Sequence, residues 1–346
     1  MVDDTKPKSN IALIGGAIAV IVIVALAVLL LYHPQQTTTP VTTAYSTTIP
    51  ASPVASTNAT NTTVSSNIWV VNQNSNTVTE LSSTGAILGT FSTGSTPSGI
   101  AITPNGNIWV ANAGSNTVTE LSSTGTTLGT FNVKYPPSDI AIAPNGNIWV
   151  TDYDNNTVTE LSSTGAVLGT FGVGIGPADI AIAPNGNVWV VNNLNGTVTE
   201  LSSTGTTLGT FDVGNQPTGI AIAPNGNVWV ANAANNSVTE LSSTGTTIGI
   251  SSVGAMPWAI AIAPNGNVWV TNLSYNTVTE LSSTRTTLGT FNVSDGPEDI
   301  AIAPNGNVWV ENYLNSTVTE LSSTGTVLGT FSVGNIGAIA AGYISP

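Results

Sequence analysis

From Asn67 onward, apolar and polar positions alternate in short runs, and the whole pattern recurs every 40 residues. The stretch Gly219 to Val253 is representative. "GIAIA" alternates and carries β-branched residues, which predicts a short strand. "PNGN" follows, its Asn-Gly pair offering the positive φ values of a tight hairpin. "VWVAN" reads as a second strand, with Val228 and Val230 on one side and Trp229 on the other. "SVTELSS" is a third strand, "TG" a second turn, and "TTIGISSV" a fourth strand. Four short antiparallel strands within one 40-residue period predict a propeller blade rather than a helical repeat.

The count follows from the tryptophans. Trp69, Trp109, Trp149, Trp189, Trp229, Trp269 and Trp309 are evenly spaced without an insertion, so residues 67–346 are expected to form an all-β, seven-bladed β-propeller of four-stranded blades. A blade cannot bury both faces alone, and a large ring between neighbours would fill that gap. The chain enters the repeat at "NIWV", a second strand, and ends with "GAIAAGYI" in the first-strand position. The last segment is therefore expected to close the ring on the first, with less regular pairing because "IAAGYI" replaces "GIAIAP".

The pattern before the repeat is different. Residues 11–32, "IALIGGAIAVIVIVALAVLLLY", are apolar or small throughout. A helix of that length spans roughly 33 Å, enough for a bilayer core of about 30 Å. Its length and bulky end favour an uncleaved membrane anchor over a signal peptide, whose apolar region is shorter. Lys6 and Lys8 place residues 1–10 in the cytoplasm, and the chain after residue 33 outside as a single-pass extracellular protein. Residues 33–66 are rich in Thr, Ser and Pro and carry no formal charge with His33 neutral, which predicts a disordered stalk.

Charge narrows the functional classes. Lys6, Lys8, Lys134 and Arg285 are the only cations, and the net charge is −14, which excludes a nucleic-acid partner. Without cysteine there is no disulfide, thiolate metal site or cysteine nucleophile. His33 is the only histidine, so the repeat lacks the commonest general base. Glu80 and its equivalents, through Glu320, are copied in every repeat and read as structural or solubility residues. The remaining polarity comes from Thr, Ser and Asn. Protonating the carboxylates should leave little charge to unfold the domain, so tolerance of acid is expected.

Comparison among the repeats separates two faces. "PNGN" and "SSTG" barely change and lie on one face. The window after each tryptophan strand drifts ("VNQNSN", "ANAGSN", "TDYDNN", "VNNLNG", "ANAANN", "TNLSYN", "ENYLNS"), as do the connections between blades, and these lie on the other. Loops on a rigid frame are where binding usually resides. On that face the sequence places Tyr135, Tyr153, Tyr275, Tyr313 and Trp258 as ligand-binding candidates, with Asp152, Glu298, Asp154 and Glu311. One column reads Gly99, Asp139, Asp179, Gly219, Ala259, Asp299 and Ile339. Its three aspartates either hold Ca²⁺ or Mg²⁺ at the mouth of a central channel, or cap turns locally. Asn58, Asn61, Asn155, Asn195, Asn235, Asn272, Asn292 and Asn315 begin N-x-S/T sequences and are glycosylation candidates.

"PTGIAIAPNGNVWVANAANNSVTELSSTG" resembles the NHL-repeat propellers, and "WVTD" (149–152) and "WVTN" (269–272) resemble archaeal surface propellers with a YVTN signature. The repeat is also similar to the streptogramin (virginiamycin B) lyases. The resemblance covers residues 67–346 and implies the seven-bladed fold. Those lyases act through histidine, glutamate and magnesium, and the absence of histidine from the repeat leaves no position to carry that chemistry over. The NHL and YVTN resemblances imply an interaction surface. The expectation is a membrane-anchored extracellular binding, recognition or surface-layer module for a protein or glycan, not an enzyme. The alternatives are a metal-dependent lyase or hydrolase on the same face, and a purely structural envelope protein.

Overall fold

The computed structural model describes residues 65–334 and 336–344. The apolar segment, most of the Thr/Ser/Pro stretch, Asn58 and Asn61 lie outside the described residues. Among the described residues no helix is long and apolar enough to cross a membrane.

Seven four-stranded antiparallel sheets form the molecule, and six of them follow the chain in order from inner to outer strand. The blade of Gly219–Val253 has strands Pro217–Ile222, Val228–Asn232, Ser237–Leu241 and Thr247–Ser252. The "PNGN" turn is not the two-residue hairpin that Asn-Gly alone implies. Gly226 takes φ +86° while Asn225 stays on the negative side, and Gly226 N–H donates to Ala223 O at 2.8 Å. Pro224 explains the difference. It has no N–H to close a two-residue hairpin around Asn225-Gly226, and its φ near −65° suits the first central position of a type I turn followed by a left-handed glycine.

The seventh sheet closes the ring. Ala338–Ile344 pairs with Ser65–Asn72, from Ser65↔Ile344 to Val71↔Ala338. The first strand thus begins at Ser65, inside the expected stalk. The expected irregularity is absent: this pairing runs without a shift, whereas five of the other inner pairs slip after their leading proline. Gly337 stands where those prolines stand, and its N–H donates to Val71 O at 3.0 Å, so the strand keeps its donors and its register.

Each tryptophan is buried between blades. Trp69 packs with Val71 and Val78 of its own blade and with Ile100, Ile108 and Leu121 of the next. Six tryptophans also stack on the phenylalanine of their own outer strand, with centroids 5.4 Å apart for Trp109–Phe131 and 5.7 Å for Trp309–Phe331. That phenylalanine covers the turn glycine of the next blade: a Cβ on Gly125 would meet the Phe91 ring at 2.1 Å. The repeated glutamates are structural. Glu200 and Glu280 accept from Asn187 and Asn267 Nδ2 at 2.7 Å, tying the second strand to the third, and both are buried.

One interface breaks the pattern in two places at once. Where the phenylalanine belongs stands Ser251, and where the next turn glycine belongs stands Arg285. Arg285 swings into the vacated space beside Gly249 and pairs with Glu240. The two departures compensate for each other. Arg285→Gly alone should destabilise by about 1–3 kcal/mol by opening a void and unpairing Glu240, partly offset by relief of its φ of +71°. Ser251→Phe alone should drive a ring into the guanidinium. Denaturant unfolding of the double variant should recover most of both losses, a coupling of about 1–3 kcal/mol. Additive losses would show that the two positions do not share one space.

Candidate functional site

The drifting windows and the blade connections lie together, as the repeat pattern predicts. Asn193 N–H donates to Gly176 O at 2.8 Å, and Val213 N–H donates to Gly196 O at 3.0 Å. At the end of the window a left-handed residue turns the chain, Asn156 at φ +57° for example, and its Oδ1 accepts Gly176 N–H at 2.9 Å. Asparagine tolerates this conformation and bonds its neighbours' backbone, which explains its persistence in a drifting stretch. The loops are variable in sequence and fixed in shape.

Tyr275 is exposed on this face, and Tyr135, Tyr153, Tyr313 and Trp258 are half-buried. Tyr153 and Tyr313 start the short turns Tyr153–Asn155 and Tyr313–Asn315. Lys134 Nζ sits 4.8 Å from the Tyr135 ring centroid. Trp258 stands near the start of the innermost strand Pro257–Ile262. Its equivalents are Ser98, Ser138, Ala178, Thr218, Glu298 and Ala338, so Trp258 and Glu298 are the two large members of the column and lie on adjacent blades. Asn155, Asn195, Asn235, Asn315 and Asn292 are exposed. Asn272 is not available to a glycan: it is buried, and its Nδ2 donates to Thr277 and Thr279 Oγ1.

The acidic candidates are not on the surface. Asp152, Asp139, Asp179, Asp299, Glu298 and Glu311 are all buried. Asp152 takes the place of the asparagine found in every other blade, and Thr157 and Thr159 hydroxyls donate to its Oδ2. It braces a blade interior, and burial pushes its pKa up to about 6.

The three aspartates are not gathered for a metal, and the local bonds that Asp179 and Asp299 Oδ1 accept, from Ile180 and Ile300 N–H, lie within strands rather than at turns. Asp179 Oδ2 accepts Ile220 N–H of the next blade, and Asp299 Oδ2 accepts Ile339 N–H of the closing strand at 2.8 Å. Asp139 Oδ2 accepts Ile180 N–H more loosely at 3.3 Å. They are rivets between adjacent innermost strands. The strands approach closely here, and a Cβ on Gly219 would lie 2.6 Å from Trp258 O. Among the described residues no group of three or more acidic or histidine side chains is arranged to hold a metal ion. Asp179 and Asp299 have both oxygens on backbone donors and Asp139 has one, and a trio so engaged does not fit Ca²⁺ or Mg²⁺. Burial, then the neighbouring Asp179, pushes Asp139 well up, and burial also raises Asp179. Two adjacent carboxyls in an apolar ring favour holding a proton between them.

Glu311 is the residue that column reading undervalued. Its equivalents are Val71, Ala111, Thr151, Val191, Ala231 and Thr271. Thr151 and Thr271 Oγ1 accept Asp139 and Ala259 N–H, both at 2.9 Å. Glu311 is fully buried with neither oxygen paired. Glu298 and Asp299 N–H face it without closing a bond, while burial and the charges of Glu298 and Asp299 drive its pKa far up. Glu298, also buried, is pushed up to about 7. One blade therefore holds three close acids at the axis.

Fold and site together define a seven-bladed propeller with a riveted, acid-lined axis and one face of fixed, sequence-variable loops. A model of the virginiamycin B lyase family matches residues 46–321, and the chain belongs to that family. A functionally unknown protein from Desulfotomaculum acetoxidans is similar in structure at a TM-score of 0.74 and 19% identity, over 81% of this chain and 99% of that one. A streptogramin B lyase structure gives 0.65 and 21%, over 70% and 86%. Virginiamycin B lyase from Staphylococcus aureus gives 0.64 and 14%, over 78% and 89%. At these identities the structures share the fold alone. No curated protein matches the sequence.

Proposed function

We propose that the protein is a membrane-anchored extracellular binding module whose ligand, a glycan or protein, is met by the variable face. The observation that carries this reading is the division of the repeat. The frame that builds blades is copied, while the loops that differ are held rigid on one face and present Tyr275, Tyr153, Tyr313 and Trp258. Rigid aromatic side chains are effective anchors because they bury much area for little lost entropy. The apolar stretch at 11–32 and the Thr/Ser/Pro segment supply the anchor and spacer.

A second reading is favoured by family membership. It is a lyase acting on a streptogramin-like compound, with Glu298 as general acid–base because its pKa of about 7 suits that task. Against it stand the lack of histidine after His33 and the burial of Glu298. Incubating the full-length chain in detergent with streptogramin B and Mg²⁺ should leave the compound unchanged by chromatography and tandem mass spectrometry. On a glycan and envelope-protein array the same preparation should bind, and Tyr153→Ala/Tyr275→Ala/Tyr313→Ala should lose at least about tenfold in affinity, roughly 1.4 kcal/mol. Conversion of the streptogramin, abolished by Glu298→Gln, would establish the enzyme instead.

A further inference from the structure

We propose that the outer rim of the propeller is a self-association surface, through which copies of this chain meet edge to edge. Each blade ends in a strand with no partner on its outer side, from Ile87–Ser92 in the first blade to Val327–Ser332 in the last. Such an edge presents a row of backbone donors and acceptors, which natural sheets blunt with lysine, proline, charge or bulges; here a bulge is the one device used in every blade, at the start of each strand. These seven strands contain no proline and no cation, and Asp212 is their only charged residue.

The rim is also apolar. Leu88 and its equivalents through Leu328 are exposed in every blade, from 44% at Ile248 to 54% at Leu88 and Leu168. The register explains how. Leu161 pairs with Val167 and Glu160 with Gly169, so Leu168 is the extra residue of a bulge. Val167 and Leu168 are consecutive and both face solvent. The bulge repeats in the other six blades. A belt of leucines on unpaired strands surrounds the molecule.

Charge and sequence identify the occupant. Copies carrying −14 repel one another wherever their acids face outward. The axial acids are buried, and the repeated glutamates lie inside the blades against asparagine amides, so the rim is where two copies approach without that penalty. A charged partner would find almost no counter-charge there. The edge strands are near-identical, "TLGTFN" in two blades and "VLGTFS" or "VLGTFG" in others, so any edge of one copy matches any edge of another. Antiparallel pairing of like strands about a two-fold axis is the self-complementary arrangement that symmetric dimers use.

The chain has no cysteine, so an introduced one reports a single position. Full-length Leu128→Cys and Leu208→Cys in detergent should form disulfide-linked dimers on mild oxidation, and Ala234→Cys on the variable face should not. In sedimentation velocity the wild type should associate with rising concentration. Lysine at Leu88 and its six equivalents should leave a monomer with an unchanged circular dichroism spectrum. Equal cross-linking from both faces would place the contact elsewhere, the 11–32 segment included. That result, a wild type that stays monomeric, or a folded lysine variant that associates like the wild type would overturn the proposal.

Discussion

The propeller should be more stable at pH 4.5 than at pH 8, by several kcal/mol. Asp139, Asp152, Asp179, Glu298 and Glu311 are buried with raised pKa values, Asp152 at about 6 and Glu298 at about 7. For an acid whose folded pKa is raised, the folded state binds more protons than the unfolded chain between the two pKa values. For Asp152 and Glu298 that stabilisation is complete below about pH 4 and is lost as the pH rises through about 6 and 7. Glu298 and Asp152 each account for roughly 3 kcal/mol on that scale. Glu311 adds to the loss, because a charge there has no hydrogen-bond partner. Melting temperatures across pH 3–9 should fall from acid to alkali. Glu311→Thr should flatten the slope and raise the melting point at pH 8, since Thr151 and Thr271 show what a hydroxyl does at this position. A maximum at pH 8, or loss of structure between pH 6 and 3, would contradict the assignment.

Removing the last strand should be more damaging than any point substitution. Ending the chain at Gly337 deletes the partner of Ser65–Asn72 and strips Ile339 and Ala341 from a core shared with Ile68, Val70 and Trp309. Ala338 and Ala340 also leave the cluster around Trp69, and Asp299 loses its bond to Ile339 N–H. A buried isoleucine alone contributes about 2–3 kcal/mol, and the deletion leaves the inner edge of Ser65–Asn72 unpaired. The sum exceeds about 5 kcal/mol, comparable to the stability of a whole domain. The shortened chain should lose its cooperative transition and aggregate, and a peptide of residues 336–346 should restore part of the transition. An unchanged midpoint would mean that the ring holds without its clasp.

Much of this architecture was legible because a repeat prints its own alignment. The invariant tryptophan, the "PNGN" turn and the seven copies give strands, blade count and closure without reference to another protein. The turn type was misread because proline's missing N–H outweighs the Asn-Gly signal beside it. The site was only half legible. Column comparison found the aspartates and located the variable face, but burial is a property of neighbouring blades that a single column does not contain. Asp179 looked like a surface ligand and is an internal rivet, because its partner, Ile220 N–H, lies in the next period. Glu311 stood out less than Asp179, although it is the acid with both oxygens unpaired. The signal was present: a glutamate in a column otherwise of valine, alanine and threonine.

The direct test of the central claim, that a copied frame carries a binding face, is to level that face and leave the frame intact. In full-length protein, the exposed parts of the windows, beginning at Gln73, Ala113, Tyr153, Asn193, Leu273 and Tyr313, would all be rewritten as the four residues from Ala233, "AANN". Binding to the array ligand of the wild type would then be measured beside the melting temperature. The account predicts a propeller that melts within a few degrees of the wild type and no longer binds. Retained affinity in a folded, levelled propeller would contradict it.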